Sequence, residues 1–316
     1  MIWSFSEGRL FRKCQRQWYF GKRLASATAK DPLRREAYLL SKLSSIHAWR
    51  GRIVDQVIEK AVVPSIQSKS TVTLQTAIKV ADKLFDTQLD FALKHRVMEP
   101  GFKASQHEDD LAAFFGVEYG TPPTEEEITK ARAEVHSALT NLFQSAEFKE
   151  VRDSIKSAIR LAAQCPITFK FAGATVRAVP DLICLFKTAP PLVIDWKVHH
   201  FGVHDYYQQL VAYAITLTRC GEHKGIPAEL RDYQAHAVNL LECQLLTNEA
   251  RRHVISEEDV AAVEDRMASE IRSMLLAVDG RENTELTAED FPTTSWPGAC
   301  ATCNFKKRCW EKSTNV

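Results

Sequence analysis

The spacing of apolar residues along this 316-residue chain first turns from helical to β-rich near residue 165. Before that point the periods are helical. Residues 4–24 offer Phe5, Leu10, Trp18 and Phe20 as apolar contacts, and 36–62 continue in helical style through HAWRGRIVDQVIEK. Over 72–95, Leu74, Ile78, Ala81, Phe85, Leu89 and Ala92 recur every three or four residues, the signature of one helix face. Thr124 with Glu127 reads as a capping box opening a helix that carries Ile128, Ala131, Val135, Leu139 and Leu142. The stretch 61–160 is thus mostly helical and shows no chemistry of its own.

Beyond 165 the pattern becomes short and β-rich. ITFKFAG, ATVRAVPDLICLF and PLVIDWKV read as strands, separated by Gly173 and by a turn at 187–191. A helix is predicted over 205–219 and a strand over 233–243. Ser256 with Asp259 then caps a helix carrying Val260, Val263, Met267, Ile271, Met274 and Val278, which stops at Gly280. Helices, a hairpin-rich sheet, a helix, a strand and a helix make a mixed α/β fold.

Composition narrows the class without naming a partner. The chain is 45% hydrophobic and 26% charged, as globular proteins are. No apolar run approaches the roughly 18 residues of a membrane helix. The start, MIWSFSEGRLFRKC, lacks the apolar core of a secretory signal, so a soluble, cytoplasmic protein away from membranes is expected. Net charge is only +1, but residues 1–60 hold thirteen Lys/Arg against five acids. Arg9, Arg12, Lys13 and Arg16 lead this segment, which reads either as a phosphate-binding face or as a solvated helical surface. Trp18, Tyr19 and Phe20 suit a nucleic-acid channel or a packed core, and Phe20 is read as core.

The eight cysteines fall into two groups. Cys165, Cys184, Cys220 and Cys243 stand alone in apolar stretches and read as small core residues. Cys300, Cys303 and Cys309 form C-x2-C-x5-C, a spacing that lets thiolates converge on one centre. Three ligands are one short of tetrahedral closure. Cys14, also set among basic and aromatic residues, is the best candidate for the fourth.

The turn at 187–191 brings the most specific chemistry together. A hairpin centred near 188–189 places Asp181 opposite Asp195 or Trp196. Asp195 and Lys197, two apart, share one face of their strand. Two neighbouring carboxylates are costly unless a cation lies between them. A divalent, oxygen-preferring metal such as Mg²⁺ meets that need, and Lys197 can then orient water or stabilise charge on phosphate. The plainer reading is a salt bridge at a strand end.

With Pro180-Asp181 on one strand and Asp195-Trp196-Lys197 on the next, the chain resembles the PD-(D/E)XK nuclease superfamily. Within it, the chain resembles the RecB-like branch with an iron–sulfur cluster, which includes the AddB nuclease domain, exonuclease V and the CRISPR-associated adaptation nucleases. Five pieces match in family order: SFSEGRLFRKCQRQWYF, GRIVDQVIE, the AVPDLICLF/LVIDWK hairpin, QLVAYA and CATCNFKKRC. The helices of 61–160 have no counterpart. The resemblance implies a restriction-endonuclease-like mixed sheet flanked by helices, with a helical insertion and an iron–sulfur clamp joining the chain ends. The expected organisation is 1–60, with one cluster cysteine and the G-x-x-x-D helix; 61–160, the insertion; 161–250, the nuclease core; and 251–316, the last helix and cysteine triplet.

The resemblance also implies residue roles. Asp181 and Asp195 become metal ligands and Lys197 the catalytic lysine, supported by Gln209 and Tyr213 of the Q-x-x-x-Y helix. The family's G-x-x-x-H histidine falls on Asp55, itself a suitable ligand for a hard cation such as Mg²⁺ or Mn²⁺. Two alternatives stay open: a shifted helix in which His47 is the ligand, and a surface role for Asp55 beside Arg52 or Lys60. Val198 stands where the family often has Thr. Cys14, Cys300, Cys303 and Cys309 would hold a four-iron–four-sulfur cluster, with tetrahedral Zn²⁺ as the competitor. The implied activity is metal-dependent hydrolysis of DNA, as an exonuclease or single-strand nuclease in DNA processing, repair or defence. The expected DNA is single-stranded or has free ends, and Arg9, Arg12, Lys13 and Arg16 would contact it. No P-loop is present, so a helicase or integrase partner would be a separate chain. The rival readings are a weak or inactive nucleic-acid-binding subunit of such a complex, and a zinc-stabilised enzyme acting on another phosphodiester.

Overall fold

Local sequence signals set most of the element boundaries. The computed structural model is described for all residues except 100, 101, 108, 109, 199–205, 222–225, 227–229, 231 and 312–316. In chain order it contains β1 (Ile2–Trp3), α1 (Phe5–Lys13), α2 (Gln15–Trp18), α3 (Pro32–Leu40), α4 (Ile46–Val57), α5 (Val63–Gln67), α6 (Leu74–Lys94), α7 (Phe115–Glu118), α8 (Glu125–Gln144) and α9 (Lys149–Ser157). There follow β2 (Arg160–Ala163), β3 (Ile167–Phe171), β4 (Ala174–Ala178), β5 (Leu182–Leu185), β6 (Leu192–Lys197), α10 (Tyr206–Arg219), β7 (Asn239–Gln244), β8 (Glu249–His253), α11 (Glu257–Val278), α12 (Pro297–Ala301) and α13 (Lys306–Glu311). Turns of π-helix over Tyr19–Leu24 and Ile58–Val62 extend α2 and α4.

Both capping boxes form. Thr124 Oγ1 accepts from Glu127 N at 3.2 Å while the Glu127 carboxylate accepts from Thr124 N at 2.8 Å. Ser256 and Asp259 repeat the exchange at 3.1 and 2.9 Å. After α11, Asp279 and Gly280 turn left-handed, with φ of 50° and 71°.

Three readings need correction. The helical stretch expected over 36–62 breaks after Leu40, because Ser44 exchanges backbone hydrogen bonds with Ala113 and Phe115 at 2.9 and 3.0 Å. Ser45 Oγ then caps α4 through Ala48 N. The strand expected over 233–243 begins only at Asn239, since Ala235–Ala237 forms a 3-10 turn and alanine favours strands weakly. Finally β1, β2 and β8 were not anticipated. The sequence of β8, EARRH, lacks an apolar alternation because it is a charged edge strand.

The chain forms two compact units. The first comprises Met1–Phe5, Arg50–Phe85 and Thr129–Ser269. Its described residues form a five-stranded sheet, β2-β5-β6-β7-β8, and a three-stranded sheet, β1-β4-β3. β5 and β6 pair antiparallel, with Leu182 opposite Ile194, while β6 and β7 run parallel. β5 is buried throughout and β6 nearly so, as expected for strands covered on both faces. α10 packs against β3, β4, β6 and β7. Arg50 of α4 forms a buried ion pair with Glu134 of α8, and its guanidinium donates to Val198 O at 3.2 Å just past β6. This contact sets α4 against the end of the central strand.

The second unit comprises Ser6–Trp49, Asp86–Ile128 and Glu270–Val316. Trp18, Tyr19 and Phe20 are all buried in it, so these aromatics are core and not a stacking platform for bases. Tyr19 stacks on Phe291 at 4.8 Å, and Phe20 meets Phe305 at 5.5 Å. Trp18 Nε1 donates to Glu7 at 3.2 Å. Gly116 permits a tight turn here, because a Cβ would lie 2.1 Å from Thr121 O.

Removing one partner of the buried Arg50–Glu134 pair strands a charge. Arg50→Ala is expected to destabilise the protein by about 3–5 kcal/mol, measured by chemical denaturation. Arg50→Met combined with Glu134→Leu should recover most of that loss.

Candidate active site

Asp181 lies one residue before β5, and Asp195 and Lys197 lie on β6. Continuing the Leu182–Ile194 register by one residue sets Asp181 opposite Asp195, the pairing expected from the hairpin centre. Asp181 Oδ2 accepts from Trp196 N at 2.8 Å, and Oδ1 accepts from Gln164 Nε2 at 2.9 Å. Gln164 is left-handed, with φ of 46°, and its own N–H donates to Asp181 O at 3.0 Å. One strained residue therefore holds both the backbone and the side chain of Asp181. Nothing in the sequence points to it, since a Gln before Cys165-Pro166 signals only a turn.

Asp195 is almost fully buried. Its carboxylate pairs with the Lys197 ammonium, and apart from that neither oxygen has a hydrogen-bond partner among the described residues. Lys197 Nζ also lies 4.6 Å from the centre of the Tyr206 ring. Asp55, half-buried on α4, belongs to the same electrostatic group. His47, two turns earlier on that helix, is exposed. On α10, Gln209 Nε2 donates to Tyr213 OH, and burial followed by Asp195 and Asp181 pushes the Tyr213 phenol well up.

The carboxylates perturb one another. Burial raises Asp195 to about 7, with Asp181 adding to the rise and Lys197 opposing it. Asp55 also reaches about 7, mainly through burial, with Lys197 lowering it and Asp195 raising it. Asp181 reaches about 6 through burial and then Asp55, against Lys197, Trp196 N–H and Gln164. Burial pulls the Lys197 ammonium down, but Asp195 and Asp181 outweigh it and hold the pKa above its ordinary value. Glu242, buried on β7 in register with Asp195, is a further acid that sequence reasoning missed. Burial pushes Glu242 up, but hydrogen bonds from His253 and Gln244, at 3.0 and 2.5 Å, hold it below its ordinary value. Its only sequence trace is an acid inside the apolar run LLECQ.

Three carboxylates around one ammonium leave a surplus of buried negative charge when all are ionised. A hard divalent cation fits that donor set. Among the described residues, however, no group of three or more His, Cys, Asp or Glu side chains is arranged so that it could hold a metal ion.

The four predicted cluster cysteines border a common cleft in the second unit. Cys14, Cys300, Cys303 and Cys309 line one cleft of about 20 Å³ with Arg16, Phe20 and Phe305. Cys14 Sγ caps α2 by accepting from Gln17 N at 3.4 Å. Burial pushes the Cys303 thiol up to about 11, with Cys14, Cys309 and Cys300 adding to the rise. Burial also raises Cys309, against the guanidinium of Arg16. Cys184, Cys220 and Cys243 are buried in the first unit and Cys165 is partly exposed. Of Arg9, Arg12, Lys13 and Arg16, the first three are exposed and Arg16 is half-buried. Arg12 pairs with Glu270 at 2.9 Å, and Arg16 Nε donates to Phe291 O at 3.0 Å.

The family model of the PD-(D/E)XK nuclease superfamily matches residues 2–310. This chain belongs to the PD-(D/E)XK nuclease superfamily. Members of this superfamily typically use divalent metals such as Mg²⁺ or Mn²⁺, and membership implies a nucleic-acid substrate. Among solved structures, the crystal structure of SSO0001 is similar at 12% identity and a TM-score of 0.31, covering 74% of this chain and 97% of its own. No curated protein matches the chain. Among the described residues, no helix is long and apolar enough to cross a membrane.

For this nuclease-superfamily site, the raised carboxyl pKa values fix a sign. The folded metal-free protein keeps protons on Asp55, Asp181 and Asp195 that the unfolded chain releases above about pH 4. Their stabilisation is full below that pH and is lost as pH rises through about 6 to 7. Thermal unfolding in EDTA should therefore show a lower Tm at pH 8 than at pH 5.5, and Asp195→Asn should flatten the difference. Added Mg²⁺ should restore stability at pH 8.

Proposed function

We propose that this chain is a metal-dependent deoxyribonuclease. The observation that carries the reading is the coupled group of Asp55 on α4 with Asp181, Asp195 and Lys197 of the β5–β6 hairpin, three carboxylates and one ammonium. Asp181, Asp195 and Asp55 would hold Mg²⁺ or Mn²⁺. When bound, the ion would neutralise the scissile phosphate and acidify a water. Lys197 acts as the residue that orients the attacking water and stabilises charge gathering on phosphate oxygen. Gln164 and Trp196 N–H fix the Asp181 carboxylate, which would hold it in one orientation for a bound ion. Gln209 and Tyr213 form the polar wall on the α10 side. The substrate is read as single-stranded or free-ended DNA, with exposed Arg9 and Lys13 the better placed of the N-terminal cations for phosphate.

Lys197→Ala and Asp181→Ala should each lower cleavage of end-labelled DNA by about 10²–10³-fold or more, with circular dichroism unchanged. Gln164→Ala should raise the Mn²⁺ concentration needed for half-maximal cleavage about 10–100-fold, as loss of a ligand-orienting partner does. Wild-type cleavage by the Lys197 variant would refute the assignment. Metal binding by the native protein without any cleavage would favour the inactive binding subunit.

For the cysteines, the reading is a structural thiolate metal centre built from Cys14, Cys300, Cys303 and Cys309. Their family resemblance favours a four-iron–four-sulfur cluster. A Cys₄ donor set also suits a single tetrahedral Zn²⁺. Anaerobic purification with metal analysis decides between them: brown protein with about four irons per chain for the cluster, colourless protein with one zinc for the ion. Cys14→Ala should lose either metal and lower stability, whereas Cys184→Ala should leave the metal in place.

A further inference from the structure

Trp196 lies between Asp195 and Lys197 on β6, so its side chain points to the opposite face of the strand. That face borders a cavity of about 600 Å³, well within the range of small-molecule sites. Its apolar lining includes Ile58, Val62, Ile66, Leu142, Ile155 and Trp196. Its charged lining is Lys69, Arg152 and Lys156, with Ser70 and Thr71 beside them and no acid among the described residues.

Two features of the backbone support a built site. The π-helical turn Ile58–Val62 supplies Ile58 and Val62, and such turns recur at functional sites because they displace side chains from regular helix positions. Lys69 stands at the rim in left-handed backbone, φ 58°, a conformation disfavoured for a residue with a side chain. Arg152 is already fixed, since its guanidinium donates to Leu142 O at 3.0 Å and Ser145 O at 2.8 Å. An apolar lining with three cations and no acid selects a ligand by both shape and sign. A cationic ligand would meet three like charges, and a neutral one would leave them unused.

We propose that this cavity binds an amphipathic anion, a medium-chain apolar body bearing one carboxylate or phosphate that meets Lys69, Arg152 and Lys156. The site is separate from the hydrolytic residues, and its test does not depend on cleavage.

Isothermal titration of the full chain with decanoate, decyl phosphate, decanol and decyltrimethylammonium, each below its micelle concentration, reads the site directly. At least one of the two anions should bind at one per chain and at least tenfold tighter than decanol or the ammonium. The tighter anion identifies the headgroup. Lys69 and Lys156 are exposed, so Lys69→Glu with Lys156→Glu should leave the fold intact. That variant should weaken the anion at least tenfold while decanol is unchanged. Absence of one-to-one binding by both anions overturns the proposal. So does equal affinity for anion and cation, or anion binding that survives the double charge reversal.

Discussion

The structure is organised around a charge imbalance. Asp55, Asp181 and Asp195 are drawn out of water beside a single lysine, and each is pushed toward the protonated form. Burial alone would neutralise isolated acids, and here mutual repulsion adds to it. The surrounding contacts prevent the imbalance from dispersing. Arg50 ties α4, which carries Asp55, to Glu134 and to the carbonyl just past β6. Gln164 and the Trp196 N–H hold Asp181 from two directions. α10 brings Gln209 and Tyr213 to the same carboxylates. Divalent metals such as Mg²⁺ or Mn²⁺ are typical of the superfamily, and their charge is of the sign that this surplus calls for.

How much was legible in the sequence depended on how local each signal was. The turn at 187–191 marked the hairpin, and its arithmetic placed Asp181 opposite Asp195 or Trp196, of which the strand register selects Asp195. The two capping boxes depended on side chains three residues apart and formed as expected. The four cysteines were the long-range exception, because their spacing and family likeness linked the ends of the sequence before any geometry was known. Gln164 was illegible because its role rests on a left-handed backbone and a partner seventeen residues away. Glu242 was hidden inside an apolar run, and only strand pairing reveals its register with Asp195. The break before α4 likewise depends on Ser44 meeting Ala113 and Phe115, distant in sequence.

The basic N-terminal segment shows why charge counts mislead. Part of its charge is spent within the second unit, where Arg12 meets Glu270, and Arg16 meets Phe291 O and lies beside Cys309. Its aromatics are consumed by packing around Phe291 and Phe305. The same residues that seemed suited to a nucleic acid therefore help to assemble the cysteine cleft, and the surface available to phosphate is smaller than the composition indicates.

Each compact unit is assembled from three separated stretches of chain, and this bears on how the protein is born. On a ribosome adding about 5–20 residues per second, Asp55 emerges well before its partners on β6. During that interval of roughly ten seconds or more, α4 has neither its lysine nor its sheet. The cysteine cleft waits longer still, because Cys309 is made long after Cys14, with which it lines the cleft. Contacts of such sequence separation make folding slow and leave apolar helices transiently exposed. The α-helices made first therefore carry apolar faces that stay uncovered until the strands and helices they pack against are synthesised.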